Sequence, residues 1–235
     1  MATRYNGSTA ADTLNFSSST TAVELYGLAG NDTLVGGSSA DTLVGGRNTD
    51  RLTGGAGSDV FAFAAGDSPV SVTYEKSKDA QFAHTISQQD VVTDFQTGLA
   101  GDRIAFAGAR VAANATGDGV DSVRMWRDGD RIATHSIQNG VIEFADNNLR
   151  TPGNLVLIST AMVGAAVDYL AKNDLGSAGT TVVFTSRLTD YSIGTTTDHS
   201  YVYVQTGEGA GGNLIDLVGF RATSLASDAT GLLLA

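Results

Sequence analysis

The chain has 235 residues, 29 glycines, 2 prolines, no cysteine and a formal net charge of −11. Without cysteine no disulfide can staple it, and its acidic balance gives no electrostatic footing for nucleic acid. A hydrophobic fraction of 42% supports a packed core, so the glycine excess points to tight turns in a β protein rather than to disorder.

The N-terminal MATRYNGST lacks the apolar core of a secretory signal, and no later stretch reaches the ~18 apolar residues of a membrane span. GSTAADTLN starts at Gly7 and carries Asp12 and Leu14; the following Phe16–Tyr26 is longer and has no aspartate. From Gly27 to Ala62 the chain reads GLAGNDTLV, GGSSADTLV, GGRNTDRLT, GGAGSDVFA, with aspartates at Asp32, Asp41, Asp50 and Asp59. A large apolar residue follows each one two places on: Leu34, Leu43, Leu52 and Phe61. A fixed period this short means a solenoid whose units cannot bury a core alone.

Each unit divides into a short strand with one inward side chain and a glycine-rich reversal. Glycines at the first, second and fourth positions are expected to supply positive φ. The fourth position is Gly30, Ser39, Asn48 and Gly57; asparagine tolerates the left-handed region and serine less readily. Such turns aim backbone carbonyls in one direction and the aspartate adds a carboxylate, an oxygen-only set that suits calcium. The candidate ligands are Asp32, Asp41, Asp50 and Asp59 with the turn residues Gly30, Gly37, Ser39, Gly46, Asn48, Gly55 and Gly57. Clustered aspartates repel until neutralised, so cation binding and folding are expected to be coupled. Sites of ~10⁻⁴–10⁻³ M, as in extracellular modules, would be empty in a cytosol and filled outside.

The run resembles the nonapeptide G-G-x-G-x-D-x-U-x (U, large apolar) of the repeats-in-toxin (RTX) family. That resemblance implies a right-handed parallel β-roll with two nonapeptides per coil and calcium between loops stacked on the same side. It pairs Asp32 with Asp50 along one edge and Asp41 with Asp59 along the other. Asp12 joins the Asp32 edge if Phe16–Tyr26 completes a coil. Two calcium sites and a third, weaker one are expected.

After an insertion from Ser71 to Gln89, read as an exposed loop, comes DVVTDFQTGLAGDRIAF. It is similar to the segment that closes RTX rolls, D-V-I-T-D-F-x-x-G-x-D-x-I, with two extra residues before Asp102. Alternation places Val92 and Phe95 in the core, with Ile104 and Phe106 continuing the sheet. The resemblance gives Asp90 and Asp94 a part in completing calcium sites; the alternative is turn aspartates in water. Ala112–Asp121 reads as a connection and Ser122–Ala145 as a meander turning at Asp128–Gly129 and Asn139–Gly140. Trp126 reads as a packed sheet residue. A Ser159/Thr160 cap opens a helix with Met162, Val163, Ala166, Val167 and Leu170 on one face, ending near Lys172 and Asn173. TTVVFTSR, SYVYVQT and LIDLVGF read as strands, before an apolar tail, Leu232–Leu234.

The expected fold is all-β dominated: a β-roll over residues 1–110, then a β-rich, sandwich-like region with one helix over 111–235. The second part resembles the C-termini of proteins exported by type I secretion and of bacterial RTX surface-layer proteins. That implies an uncleaved C-terminal address read by the exporter; the alternative is a docked sheet end.

No catalytic signature accompanies the repeats. His84, His135 and His199 form no H-E-x-x-H, and neither a G-x-S-x-G elbow nor a phosphate-binding G-x-x-x-x-G-K-[ST] occurs. The expected protein is a non-enzymatic, secreted calcium binder of the bacterial cell surface or matrix. Its expected partners are calcium, the exporter, and further copies of itself or a surface polysaccharide, with no nucleic acid and no membrane span. The rivals are the C-terminal folding and export module of a larger secreted hydrolase, a glycan- or ice-binding module, and an unrecognised enzyme in the second half.

Overall fold

A computed structural model describes residues 1–76, 82–87, 89–98, 101–119, 131–146, 155–190, 192–207, 210–228 and 231–235. Seven short strands open it: β1 (Thr3–Asn6), β2 (Thr13–Asn15), β3 (Val23–Ala29), β4 (Thr33–Val35), β5 (Thr42–Arg47), β6 (Arg51–Thr53) and β7 (Val60–Phe63). They alternate between two parallel sheets, odd strands in one and even strands in the other. The register stacks Leu25, Leu43 and Phe61 in one column and Leu14, Leu34 and Leu52 in the facing one. Leu25, Leu34, Leu43, Leu52 and Phe61 are all fully buried. One inward side chain per nonapeptide cannot exclude water alone, but stacked coils make it continuous, giving a parallel β-roll. Phe16–Tyr26 does complete a coil, since β1 pairs with β3 at Tyr5↔Leu25.

The Ser71–Gln89 insertion is a hairpin and not the expected loop. β8 (Ser71–Lys76) and β9 (Phe82–Ser87) pair antiparallel, and Val72 and Ile86 pack against the helix core. Lys78 and Asp79 lie outside the described residues. The closing segment supplies β10 (Asp90–Val92) beside β6 and β11 (Arg103–Phe106) beside β7, with Val92, Phe95, Ile104 and Phe106 buried as expected.

β12 (Arg110–Val111) precedes β13 (Ala115–Asp118), which occupies part of the stretch read as a connection. Among the described residues β13 is an edge strand, with mostly exposed side chains, held by backbone pairing to β14 (Ile132–Gln138), so no hydrophobic pattern marks it. β14 and β15 (Val141–Asp146) form the hairpin turning at Asn139 and Gly140, whose φ of 50 and 73 suit a type I′ turn. Asp128–Gly129 and Trp126 lie outside the described residues. α1 (Thr160–Lys172) is the one helix among the described residues. Ser159 caps it by accepting from the Met162 N–H at 3.3 Å, and Met162, Val163, Ala166, Val167 and Leu170 are buried.

β16 (Thr180–Asp190), β17 (Thr195–Gly207) and β18 (Ala210–Val218) run antiparallel, and β18 pairs in parallel with β10. The even-strand sheet therefore continues from β2 to β13 without a break across residue 110. β19 (Leu225–Asp228) and β20 (Gly231–Leu234) close the odd-strand sheet, with Leu232 opposite Ile104. Strands β16–β18 are covered on both faces. Val183, Val202, Val204, Ile215 and Leu217 extend the roll core, while Val182, Phe184, Tyr201, Tyr203 and Leu214 face the helix.

Candidate metal centre

Asp32, Asp41, Asp50 and Asp59 each stand where the turn becomes a strand, and the Oδ1 of each reaches to the neighbouring coil. Along one edge Asp12 N–H donates to Asp32 Oδ1 at 2.7 Å, Asp32 to Asp50 at 2.8 Å and Asp50 to Asp90 at 2.8 Å. Along the other, Val23 N–H donates to Asp41 Oδ1 at 2.8 Å, Asp41 to Asp59 at 2.7 Å and Asp59 to Asp102 at 2.8 Å. Asp32, Asp41, Asp50, Asp59, Asp90 and Asp102 are at most 3% exposed. The structure thus brings Asp12, Asp32 and Asp50 onto one edge and Asp41 and Asp59 onto the other.

Three second oxygens have no hydrogen-bond partner although they are buried: Oδ2 of Asp32, Asp50 and Asp59. A buried carboxylate oxygen left unpaired costs free energy that the fold must recover elsewhere. Burial pushes the Asp32 carboxyl up and lifts Asp50 and Asp59 to about 6, against the backbone hydrogen bonds that favour their charged forms. Neighbouring carboxylates add to the rise, Asp32 and Asp67 at Asp50, and Asp102, Asp41 and Asp94 at Asp59.

The first glycine of the turn makes room for these oxygens. A β-carbon at Gly27, Gly45 or Gly54 would stand 2.2, 2.2 or 2.4 Å from the Oδ2 of Asp32, Asp50 or Asp59. None of the three has positive φ, so the expectation that first-position glycines serve backbone freedom is replaced by one of space. The Gly27 position would also meet the Gly45 carbonyl oxygen of the next coil at 2.5 Å. Carboxylate and carbonyl oxygens therefore converge beside Gly27. Among the described residues no three Asp, Glu or His side chains form a metal cluster, so backbone carbonyls have to complete any coordination. Unpaired carboxylate oxygens, carbonyls and an all-oxygen donor set fit calcium. Asp32 and Asp50 would hold it on one edge and Asp59 on the other, where it would supply the positive charge the buried carboxylates lack.

The remaining candidates are placed differently. Asp90 ends the first ladder; its Oδ2 accepts from the Ser68 hydroxyl, and burial pushes its carboxyl to about 8. Asp94 is off the ladders and caps a turn, accepting from Gly54 N–H at 2.9 Å and Gly55 N–H at 2.8 Å. Asp102 ends the second ladder, its Oδ2 accepting from Gln96 N–H at 2.8 Å, although nothing but its place in the closing segment marked it in the sequence. Asp102 N–H also donates to the Gln96 carbonyl at 2.8 Å. His135 pairs with the Tyr169 hydroxyl and His199 with Asp216, each at 2.8 Å; the His84 side chain lies outside the described residues.

Residues 25–67 match the RTX calcium-binding nonapeptide repeat (4 copies). No curated protein matches the chain.

Proposed function

We propose that this chain, whose residues 25–67 are RTX calcium-binding repeats, is a secreted, non-catalytic protein that folds on calcium outside the cell. It would serve there as a surface or matrix component that assembles with copies of itself. The observation that carries the calcium step is the set of unpaired, buried Oδ2 atoms on Asp32, Asp50 and Asp59. Without a cation these carboxylates are held where neither water nor a protein donor satisfies them, so the coils should separate; with one, each ladder gains its missing charge.

Export before folding is supported by the burial of Leu232 and Leu234 in β20, since an address in this segment is readable only in the unfolded chain. Low cytosolic calcium would keep it so. A non-catalytic role is supported by the sequence, in which His84, His135 and His199 form no H-E-x-x-H and no G-x-S-x-G elbow occurs. Self-assembly is supported by the two parallel sheets, which among the described residues end at β1 and β2 with backbone groups that another coil can pair.

Circular dichroism with light scattering through a calcium titration, reversed with EDTA, tests the reading. The expected result is a cooperative gain of β signal followed by growth in scattering, both reversed by chelator. A chain equally folded in chelator and calcium would sink it.

A further inference from the structure

The turns come in two forms, and the difference follows one residue. In Gly27–Asp32, Gly45–Asp50 and Gly54–Asp59 the fourth residue lies in the left-handed region: Gly30 at φ 116, Asn48 at 85 and Gly57 at 137. The second residue joins it there, with Leu28 at φ 83, Gly46 at 100 and Gly55 at 95. These are the three turns whose aspartates leave Oδ2 unpaired. In Gly7–Asp12 and Gly36–Asp41 the fourth residues are Ala10 and Ser39, and neither the second nor the fourth residue has positive φ. There the turn folds back on its own carboxylate. Gly37 N–H donates to Asp41 Oδ2 at 2.6 Å, and Ser8 donates to Asp12 Oδ2 from both its N–H and its hydroxyl.

The second position does not set the form. Gly37 is free to take positive φ and its turn is closed; Leu28 carries a β-carbon and its turn is open. The fourth residue decides, because alanine and serine pay a steric cost in the left-handed region that glycine avoids and asparagine tolerates.

We propose that Ser39 keeps the Gly36–Asp41 turn latched by its own aspartate, making the Asp32/Asp50 edge the primary cation site and the Asp41/Asp59 edge a latent one. The proposal rests on the calcium reading and goes beyond it by ordering the sites. On the first edge the adjacent turns of Asp32 and Asp50 are both open and both Oδ2 atoms are available, and only the outer Asp12 turn is closed. On the second, Asp59 is available, but Asp41 must first release Gly37 N–H. Occupancy of the latent edge therefore carries the cost of opening a turn, and the two edges fill in sequence as calcium rises.

The test is isothermal titration of the whole chain with calcium, with circular dichroism at saturation to check the fold. Wild type should show a tight class and a weaker class. Ser39→Gly should tighten the weaker class by about tenfold and leave the tight one in place. Asn48→Ser, which keeps a β-carbon but loses tolerance of positive φ, should weaken the tight class by a comparable factor. If wild type binds and neither substitution moves its own class, the latch is overturned while the calcium reading stands. If wild type binds no calcium, both fall.

Discussion

Asp32 N–H donates to Asp50 Oδ1 at 2.8 Å across 18 residues of chain. That bond does two things at once. It fixes the spacing of consecutive coils on one edge, and it leaves the other oxygen of Asp50 facing the turn with no protein partner. Structural and cation-binding roles are thus split between two oxygens of a single side chain.

Asp50→Asn separates the two roles, since the amide keeps an acceptor for Asp32 N–H while replacing the unpaired anionic oxygen. Calcium titration should show the tight class lost. The stabilisation that class gives, about 1.4 kcal/mol at ten times Kd, should vanish from thermal melts. Asp146→Ala, outside every repeat, should leave both unchanged. Equal effects would remove the site assignment.

The cation-free protein should lose stability as pH rises. Burial lifts Asp50 and Asp59 to about 6 and Asp90 to about 8 from an ordinary 3.8. The folded state therefore binds protons more tightly than the unfolded one. Their contribution is complete below about pH 4 and is lost as pH climbs through 6 and on to 8. Calcium needs the charged carboxylates, so its affinity should rise over the same window. The folded fraction in chelator, read by circular dichroism across pH 4–8, should fall as pH rises, while the melting temperature in calcium should rise; parallel trends would contradict this.

Gly45→Ala and Gly66→Ala compare space with conformation. Gly45 has ordinary φ, but an added methyl would meet Asp50 Oδ2 at 2.2 Å. Gly66 has φ 89 with nothing within 4 Å, so alanine there costs about 1–2 kcal/mol of backbone strain alone. Gly45→Ala should also abolish the tight calcium class, whereas Gly66→Ala should lower only the melting temperature.

Leu232→Ala asks whether the apolar tail belongs to the fold. Leu232 is 1% exposed and pairs with Ile104, so its truncation should cost about 2–5 kcal/mol in denaturant unfolding at saturating calcium. A free terminal address would cost nothing.

Much of the roll is legible in the primary sequence because each nonapeptide repeats the same local problem. The aspartate, the apolar residue two places later and the glycine turn are neighbours in sequence, so period nine fixes strand, turn and facing edge together. The helix and the Asn139–Gly140 hairpin are legible for the same reason, since cap and turn residues act within a few positions. The hairpin over residues 71–87 and strand β13 are not. Their stability comes from docking on α1 and pairing with β14, partners distant in sequence.

The amino-acid order alone sets the donor chemistry, the coil length and the residues that face inward, because these depend on near neighbours. Tertiary structure decides which carboxylate oxygens end up without a partner, that Asp102 terminates the second ladder, and that the chain's last strand completes the first sheet. Those outcomes depend on what lies across a few ångströms of space, supplied in the ladders by residues 18 to 43 positions away and at the last strand by Ile104, far from Leu232 in sequence.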